Sequence, residues 1–503
     1  MKTEVMEVVN TVTPVLEVLS TLFIFAVGLV FLVIFVTFIF DITQRKNAIL
    51  RNYPVVGHFR YLFNSLGEFF RQYFFAMDRE EMPFNRAERQ WVNGAASDKD
   101  NTVAFGSTKN LNIVGTPIFI NCPFPTLDDE AAKTTAMTIG EHYCQNPYNA
   151  YSIVNISGMS YGAISKPAVL AFSKGARMAN CWYNTGEGGL SSYHLEGGAD
   201  IVFQIGTAKY GVCDENGNLD EEKLKEIAKN PQVKMFEIKI SQGAKPGKGG
   251  ILPGAKVTKE IAKIRGIEAT QDSISPNRHK DISNPQELID FINKVRRITE
   301  KPVGFKTVIG HTRFLKSVLQ EIKTRGIEHA PDFITIDGGN GGTGAAPMAL
   351  IDNVGLSLKE ALPLVIDKLL EFGFKQRIKV IASGKLITPA EVAWALCAGA
   401  DFITSARGFM FSIGCIQALK CNKNTCPTGI TTHNKRLQKG LNPANKAVKV
   451  ANYVKNMQQS VEIIAHSCGV KKPRELDRSH VRIVGNNGLS IPMDELNPYP
   501  KEI

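Results

Sequence analysis

The chain has 503 residues, of which 44% are hydrophobic and 21% charged, with 43 glycines. This composition is typical of a folded protein with many tight turns and excludes a disordered chain. Nine cysteines, six of them isolated along the chain, argue against a secreted disulfide scaffold. The formal net charge of +11 would suit nucleic acid or an anionic membrane. Because no nucleic-acid-binding motif accompanies the charge, we expect no nucleic-acid partner.

The first predicted element is a run of 23 residues without a charge, from Val18 to Phe40. A helix of about this length crosses the hydrocarbon core of a bilayer. A signal peptide has a shorter apolar core that follows basic residues, whereas the acidic Glu4, Glu7 and Glu17 precede this run. A buried core helix is a weaker alternative, because no face of the run is polar. The sequence therefore predicts a single transmembrane helix at about 18–40.

The residues that follow the run are basic and predict its orientation. Arg45, Lys46, Arg51 and Arg60 lie within 20 residues of Phe40. Positively charged flanks of membrane helices face the cytoplasm. We expect residues 1–41 to form a single-pass anchor and the rest of the chain, including any catalytic domain, to face the cytoplasm.

Residues 42–149 form a predicted connector, and its first half mixes aromatic and basic residues. Two interpretations of residues 42–95 remain open. The segment lies against the bilayer surface, with Arg and Lys toward anionic headgroups and Phe and Tyr buried at the interface. Alternatively, it packs on the main domain.

Residues 150–440 alternate short apolar runs with amphipathic segments. Continuous apolar runs suit parallel strands that are buried on both faces. The eight strand candidates are SIVNIS, NCWYNT, IVFQIG, MFEIKIS, PVGFKTVI, FITIDG, IKVIASG and DFITSAR. Eight strands and helices over about 250 residues predict an α/β fold, a (β/α)8 TIM barrel, and an open doubly wound sheet is the alternative. Residues 441–503 form a predicted C-terminal helical extension on the outside of the barrel.

Two loops near the end of the predicted barrel suit a phosphate group. They are Ala382–Pro389 (ASGKLITP) and Thr404–Met410 (TSARGFM), after the seventh and eighth strands. In such barrels these loops hold phosphates with backbone N–H groups. Small residues let the backbone approach a phosphate, and Lys385 and Arg407 would neutralise it. The alternative is a pair of plain tight turns.

A glycine-rich segment, DGGNGGTGAAP (Asp337–Pro347), follows the sixth strand. It contains a formal GxGxxG match, but that dinucleotide fingerprint belongs to a first strand–turn–helix unit, and here a proline follows. We interpret it as a loop that lets a flat ring lie against backbone. A similar loop, SQGAKPGKGGILPG (Ser241–Gly254), follows the fourth strand, and its Lys245 offers positive charge to a carboxylate or phosphate.

Two further charged residues end predicted strands. Lys306 would point into the barrel mouth, where a buried lysine needs an anionic partner such as a reduced flavin. A lysine that only extends to solvent is its alternative. Glu187 stands between glycines in NTGEGG and forms either a turn or a substrate contact.

Three cysteines, Cys415, Cys421 and Cys426, follow the eighth loop. Zinc would require a fourth ligand and usually takes CxxC pairs; His433 and Cys468 are candidates, but neither has the usual spacing. An iron–sulfur cluster on three thiolates fits better, and the Cys-Pro ending is typical of ferredoxin-type ligation. Three unrelated buried cysteines are the remaining alternative.

Residues 150–440 resemble the FMN-binding synthase domain of glutamate synthase. The motifs that carry the resemblance are NISGMSYGAIS, NTGEGG, KISQGAKPGKGG, DGGNGGTGAAP and GCIQALKCNKNTCPTGITT, in that family's order. With the predicted anchor and the segment NAILRNYPVVGHFRY, the chain resembles the membrane-associated, single-domain branch of the family. The resemblance implies a [3Fe-4S] cluster on the three cysteines.

The resemblance also implies the site residues and the reaction. FMN would contact Ser157, Gly158, Met159, Ser160, Gln204, Lys306, Gly338, Gly339, Gly384, Lys385, Ala406 and Arg407. The substrate 2-oxoglutarate would contact Glu187, Gln242, Lys245 and Arg265, and Lys306, Glu187 and Lys245 would be catalytic. The implied enzyme is an oxidoreductase of CH–NH2 donors that makes L-glutamate through 2-iminoglutarate, with the cluster relaying electrons to FMN. Ferredoxin, or a reductase or glutaminase subunit, is the implied partner.

The chain departs from the family's pattern in two respects. Residue 2 is Lys and no glutaminase domain is present, so we expect ammonia to come from elsewhere. Lys248 and Ile251 stand where the family usually has Glu and Gln, which removes hydrogen-bonding capacity near the substrate. Two alternatives follow: a membrane-linked flavoprotein dehydrogenase of another amino or hydroxy acid, and a redox sensor without turnover.

Overall fold

A computed structural model describes residues 2–44 and 46–500. It divides into two compact units, Met1–Arg86 and Ala87–Ile503.

The first unit is helical. It contains α1 (Lys2–Thr43), α2 (Ala48–Asn52), α3 (Val56–Phe70) and a π-helical turn, Arg71–Phe75. The segment Thr13–Thr43 of α1 is long and apolar enough to cross a membrane, and its most apolar 18-residue stretch contains no buried residue. The predicted apolar helix is therefore confirmed. That it spans a membrane remains a prediction.

The corner between α1 and α3 is held by hydrogen bonds. The Asp41 carboxylate accepts the backbone N–H of Val55 at 2.8 Å and lies 3.0 Å from Nε2 of His58. Asn47 caps α2 with its side-chain oxygen, and its Nδ2 donates to the Tyr61 hydroxyl at 2.7 Å. These bonds set the position of α3 relative to the end of α1.

The second unit is built on strands and helices in alternation. The strands are β1 (Pro117–Phe119), β2 (Met137–Ile139), β3 (Tyr148–Ala150), β4 (Val154–Ile156), β5 (Trp182–Asn184), β6 (Asp200–Ile205), β7 (Val233–Lys239), β8 (Ile251–Leu252), β9 (Ser273–Ile274), β10 (Val303–Thr307), β11 (Phe333–Asp337), β12 (Lys379–Ser383), β13 (Phe402–Ser405), β14 (Val481–Val484) and β15 (Ser490–Pro492). The helices are α4 (Arg86–Ala96), α5 (Lys166–Ala179), α6 (Ser192–Glu196), α7 (Glu221–Lys229), α8 (Lys259–Arg265), α9 (Pro285–Thr299), α10 (Arg313–Arg325), α11 (Met348–Ile351), α12 (Leu358–Glu371), α13 (Pro389–Cys397), α14 (Arg407–Ser412), α15 (Lys435–Gln438), α16 (Pro443–Ser467) and α17 (Met493–Leu496).

Eight of these strands close into a parallel barrel. Their order around it is β4, β5, β6, β7, β10, β11, β12 and β13, and β13 pairs with β4 to complete the ring. Ile403 lies opposite Val154 at this closing pair. All eight predicted strands fall on these barrel strands, so the (β/α)8 fold is confirmed and the open doubly wound sheet is excluded.

A packed apolar cluster fills the end of the barrel where the strands begin. It includes Trp182, Met235, Phe333 and Phe402, together with Tyr148 of the β2–β3 hairpin. Burying such large side chains contributes about 1.5–3 kcal/mol each. Since this end is plugged, the opposite end, where the strands finish, is the one available to ligands.

The C-terminal extension packs on the barrel's helices, as predicted. Helix α16 lies against α5, and a Cβ added at Gly175 would be 2.5 Å from Cβ of Val450. Glycine therefore permits this close approach. The Tyr453 hydroxyl of α16 donates to the carbonyl of Ile387 at 3.1 Å, which connects the extension to the loop after β12.

Candidate active site

A large cavity opens at the carboxyl ends of the barrel strands. It encloses about 1390 Å³ of space free of atoms, including open solvent at its mouth. The predicted site residues among its lining are Ser157, Gly158, Met159, Ser160, Glu187, Gln204, Gln242, Lys245, Arg265, Lys306, Gly384, Lys385, Ala406 and Arg407. The structure thus brings these residues, which are spread over 250 positions of sequence, to one cavity.

Among the predicted FMN and substrate contacts, Gly338 and Gly339 do not line the cavity and are buried. Gly339 donates to the carbonyl of Leu356 at 2.7 Å, and a Cβ on it would lie 2.4 Å from the carbonyl oxygen of Gly355. The glycines allow this loop to pack on the segment before α12. The same loop lines the cavity further along, at Gly342–Ala345, and that part is the one available to a flat ring.

Glu187 and Lys239 form a buried ion pair at one side of the cavity. Their Oε1 and Nζ atoms are 2.8 Å apart, and their side chains are 16% and 6% exposed. Burial alone would raise the pKa of Glu187, but Lys239, with Lys245 and Arg265, lowers it below the ordinary value. Burial lowers the pKa of Lys239. Glu187 is thus held as a carboxylate among three cations.

Lys245 and Arg265 present their charges to the same part of the cavity. Burial, reinforced by Lys239, lowers the pKa of Lys245 to about 8. The Arg265 guanidinium donates to Ser273 Oγ at 3.0 Å and to Ser160 Oγ at 3.4 Å, while its buried Nε has no hydrogen-bond partner among the residues described. A buried donor without a partner is costly, so this side of the cavity is suited to an acceptor.

The charges on this side do not cancel. The lining here carries four positive charges, on Lys239, Lys245, Lys256 and Arg265, against two negative charges, on Glu187 and Asp337. Two uncompensated positive charges in a buried site favour a ligand with two negative charges. A dicarboxylate has that charge.

The floor of the cavity contains a buried carboxylate, Glu237, whose side chain is 4% exposed. Its Oε1 accepts from Asn184 Nδ2 at 2.9 Å and from Gln204 Nε2 at 2.6 Å, and its Oε2 accepts from the Thr335 hydroxyl at 2.6 Å. Lys306 Nζ lies 3.9 Å away. Glu237 therefore orients Gln204 and Lys306, two of the predicted cofactor contacts, from beneath.

The opposite side of the cavity is formed by the loops after β12 and β13. Lys385 has a positive φ of 56° and Gly384 one of 144°, as a sharp turn requires. Arg407 donates to the carbonyl of Thr343 at 3.2 Å. The Thr404 hydroxyl is buried in the cavity wall without a partner in the part of the chain that the structure describes. Two cations, a free hydroxyl and small residues suit a phosphate here.

The three cysteines lie in the loop after α14 as free thiols, and Cys421 lines the cavity. Burial, then the neighbouring Cys421 and Cys426, raises the pKa of Cys415 to about 11. The thiols are thus close enough to influence one another. No group of three His, Cys, Asp or Glu side chains among the described residues is positioned to hold a metal ion. As described, the loop does not present a formed coordination site.

Neither candidate for a zinc ligand completes such a site. The His433 ring nitrogen Nε2 lies 2.9 Å from the carbonyl oxygen of Gly162. Cys468 follows α16 and lies beside Cys122. The zinc alternative therefore has no support from the described residues.

Lys256 connects the cysteine loop to the barrel. It is buried, lines the cavity and donates to the carbonyls of Ala163 at 2.5 Å and Cys421 at 3.2 Å. With Lys239 and Glu237 it is one of three site residues that the sequence analysis did not identify. All three are charged residues inside or just after apolar runs, which is the signal that could have found them.

The two departures from the family pattern lie in different environments. Ile251, in β8, lines the cavity and pairs with Ile274 of β9. Lys248 is exposed and is not among the lining residues. Only the substitution at 251 therefore changes the cavity wall.

Comparison with known proteins identifies a family and several relatives. The family model described as "Conserved region in glutamate synthase" matches residues 123–471. The glutamate synthase large subunit-like protein YerD of Bacillus subtilis is 40% identical over 497 residues, 91% of this chain and 94% of that protein. The archaeal-type glutamate synthase (NADPH) of Thermotoga maritima is 32% identical over 349 residues, 69% of this chain. The match spans 65% of that relative, a little less than two thirds.

Among solved structures, mandelate oxidase with (S)-4-hydroxymandelic acid is similar. It has a TM-score of 0.47 and 12% identity, over 79% of this chain and 99% of that one.

Proposed function

We propose a specific reaction for the chain. The chain belongs to the glutamate synthase family and is a glutamate synthase-like oxidoreductase of CH–NH2 donors. The proposed reaction is the reductive amination of 2-oxoglutarate to L-glutamate through 2-iminoglutarate, with FMN and an iron–sulfur cluster as cofactors. The observation that carries the proposal is the set of cations around Glu187. Their two uncompensated positive charges match the two carboxylates of 2-oxoglutarate.

The residues around the cavity fit FMN. Lys385, Arg407 and the unpartnered Thr404 hydroxyl would hold its phosphate, since each offers a donor at a loop of small residues. Gln204 and Lys306, held from below by Glu237, would lie at its ring. When bound, FMN supplies the hydride that reduces the imine carbon.

The chain's own residues bind and orient the substrate. Arg265 offers its planar guanidinium, including the free Nε, to one carboxylate, and Lys245 offers a point charge to the other. Glu187 and Lys239 fix each other at 2.8 Å and keep this side of the cavity charged and ordered. Both carboxylates of the substrate would thereby be oriented before the reaction.

The experiment that tests the reaction is anaerobic. The detergent-solubilised protein is photoreduced, and flavin absorbance is followed after adding 2-oxoglutarate, ammonium, or both. We expect reoxidation only with both, together with L-glutamate. Lys245→Met should abolish turnover and keep the flavin, whereas the exposed neighbour Lys248→Met should change turnover less than twofold. Equal turnover of the two variants would remove Lys245 from the site.

The iron–sulfur cluster is a separate part of the proposal. The support for it is the spacing of Cys415, Cys421 and Cys426 in one loop after α14. Anaerobically purified protein should contain iron and acid-labile sulfide, and Cys421→Ser should lose most of both. Cys213→Ser, at a half-buried cysteine outside this loop, is the matched control. Iron content unaffected by Cys421→Ser would exclude the cluster from this loop.

The ammonia and the electrons would come from outside the chain. We propose free ammonium, or a glutaminase partner, as the nitrogen source and ferredoxin or a reductase subunit as the electron donor. Photoreduced ferredoxin should sustain glutamate formation with ammonium in several turnovers. A requirement for glutamine in place of ammonium would point to the glutaminase partner.

We further propose that α1 spans the membrane once and that the barrel faces the cytoplasm. The support is the apolar segment Thr13–Thr43, whose most apolar 18-residue stretch is not buried, and the basic residues after it. The protein should resist extraction by alkaline carbonate, and protease should cleave the barrel only from the cytoplasmic side. Release by carbonate would overturn the span.

A second candidate function is favoured by Ile251. An apolar side chain in the cavity wall would suit a substrate with an apolar group, such as another amino or hydroxy acid, with electrons passed to a membrane quinone. Membranes that contain the protein should then reduce a soluble quinone analogue when supplied with that acid. Quinone reduction that outpaces glutamate formation would favour this candidate.

A further inference from the structure

Helix α3 presents an apolar face that is exposed along its whole length. The residues on this face are Phe59, Leu62, Phe63, Leu66, Phe69 and Phe70, between 37% and 64% exposed. Their spacing of three and four residues places them on one side of the helix. Tyr73 and Phe74, in the π-helical turn that follows, are also exposed.

The other face of α3 is polar. Arg60, Asn64 and Ser65 are exposed there, and Arg71 follows directly. Aromatic residues such as Phe59 and Phe63 contact each other along the helix, with ring centroids 6.2 Å apart. So large an exposed apolar patch on a folded unit marks an interaction surface.

Charge identifies the kind of partner. Residues 42–75 contain five Lys or Arg residues and one acidic residue. Helix α3 itself contains one basic and one acidic residue, and the basic excess comes from the residues that flank it. An amphipathic helix with aromatic residues on its apolar face and basic flanks is the type that lies in the interface of an anionic bilayer. A protein partner for an apolar face would not by itself require this charge.

Continuity with α1 supports the same partner. Only 12 residues separate Thr43, at the end of α1, from Val56, at the start of α3. Asp41 binds both the backbone of Val55 and the ring of His58, so α3 starts at a hydrogen-bonded corner rather than on a loose tether. If α1 spans a bilayer, this corner lies at its surface.

We propose that α3 lies flat in the headgroup region of an anionic bilayer, with the Phe59–Phe70 face toward the acyl chains and Arg60 and Arg71 toward lipid phosphates. This inference goes beyond the proposed reaction and uses the proposed span of α1 only to bring α3 to the surface. The helix then acts as a second membrane contact that fixes the orientation of the chain at the bilayer.

Hydrogen–deuterium exchange of the full chain tests the proposal. The protein is reconstituted, one chain per disc, in lipid nanodiscs of phosphatidylcholine alone or with 30% phosphatidylserine. We expect amides of residues 56–70 to exchange at least tenfold more slowly with phosphatidylserine than without it. Phe63→Glu should restore fast exchange, whereas Asn64→Glu, on the polar face, should remain protected.

Each other outcome overturns the proposal. Equal exchange in both lipids means that the face is not bound to anionic lipid. Protection that appears only with two chains per disc assigns the face to a second copy of this chain. Protection that survives Phe63→Glu means that the apolar face does not hold the helix. Carbonate extraction is read separately, so a failed span of α1 and a failed contact of α3 are distinguishable.

Discussion

Removing one partner of the Glu187–Lys239 pair is expected to destabilise the barrel strongly. Both groups are buried, and their charged atoms are 2.8 Å apart. In Glu187→Gln, Lys239, Lys245 and Arg265 lose the buried carboxylate that they share. Breaking a buried pair by removing one partner costs about 3–5 kcal/mol, because the remaining charge is uncompensated. Lys239→Met should cost less, since Lys245 and Arg265 still face Glu187.

The double variant separates charge pairing from shape. If the two groups stabilise each other, Glu187→Gln with Lys239→Met should lose less stability than the sum of the two single variants. The expected coupling energy is about 1–3 kcal/mol, as for contacting groups in one network.

The pH dependence of the free energy of unfolding is an independent test of the Glu187 ion pair. The pKa of Glu187 is lowered in the folded state, so its contribution is present above the unfolded pKa of about 4.3 and is lost as the pH falls through the folded value. Acidification from pH 6 to pH 3 should therefore lower the free energy of unfolding of the wild-type protein by more than it lowers that of the Glu187→Gln variant, because the variant lacks this carboxylate.

Urea unfolding of the detergent-solubilised protein, followed by tryptophan fluorescence, measures these effects. Trp182 and Trp394 are buried in the barrel unit and report its unfolding. The matched control is Glu226→Gln in α7, whose ion pair with Lys229 spans 2.9 Å but is about three quarters exposed. That variant should change the free energy of unfolding by less than about 1 kcal/mol. Equal losses for Glu187→Gln and Glu226→Gln, or strict additivity of the pair, would refute the reasoning.

Three further predictions concern the site and the core. The pKa of Lys245 is about 8, so its ammonium form predominates only below that pH. The KM for 2-oxoglutarate should therefore rise about tenfold per pH unit above pH 8. In a Lys245→Arg variant, measured the same way, this rise should begin at a higher pH. Glu237→Leu leaves three buried donors without an acceptor, at a cost of about 1–3 kcal/mol each. This variant should lose bound FMN, whereas Glu237→Gln should keep most of it. Flavin absorbance measures the FMN content of both. Gly175→Ala should lower the urea midpoint by the equivalent of about 1–3 kcal/mol, and adding Val450→Ala should recover part of the loss.

The barrel could be predicted from sequence because its signal is local. Each barrel strand is a short apolar run that ends in glycine or polar residues, and most are followed by an amphipathic helix. Most site residues could be placed for the same reason, since loops after parallel strands converge at one end of the barrel. Serine and lysine residues such as Ser160 and Lys385 therefore reach one cavity although 225 positions separate them.

Lys239 and Glu237 could not be placed because the strand MFEIKIS was treated as uniformly apolar. Side chains alternate along a strand, and Met235 lies in the barrel's interior cluster. Glu237 and Lys239 are two and four residues further and share its direction. A strand that is apolar on average can thus place charged side chains in the barrel interior. Only the structure shows the hydrogen-bond and ion-pair partners that make this burial possible.

Gly338 and Gly339 were assigned to the cavity for a different reason. Five glycines fall in the segment from Gly338 to Gly344, and each is equally able to approach a flat ring. Which of them does so depends on where the loop packs, and it packs at Gly355 and Leu356. That contact comes from 16 residues later in the chain, so no local pattern contains it.

Ile251 changes the cavity without changing its charge. It lies in the β8–β9 hairpin, and the same hairpin carries Ser273, whose hydroxyl accepts from Arg265 at 3.0 Å. The hairpin therefore still positions the guanidinium, while its other strand offers a hydrocarbon surface where the family usually has an amide. In the proposed reaction, Lys245 and Arg265 would bind the two carboxylates, and neither contact requires residue 251. We therefore expect a dianionic substrate to bind in this cavity with either side chain at position 251.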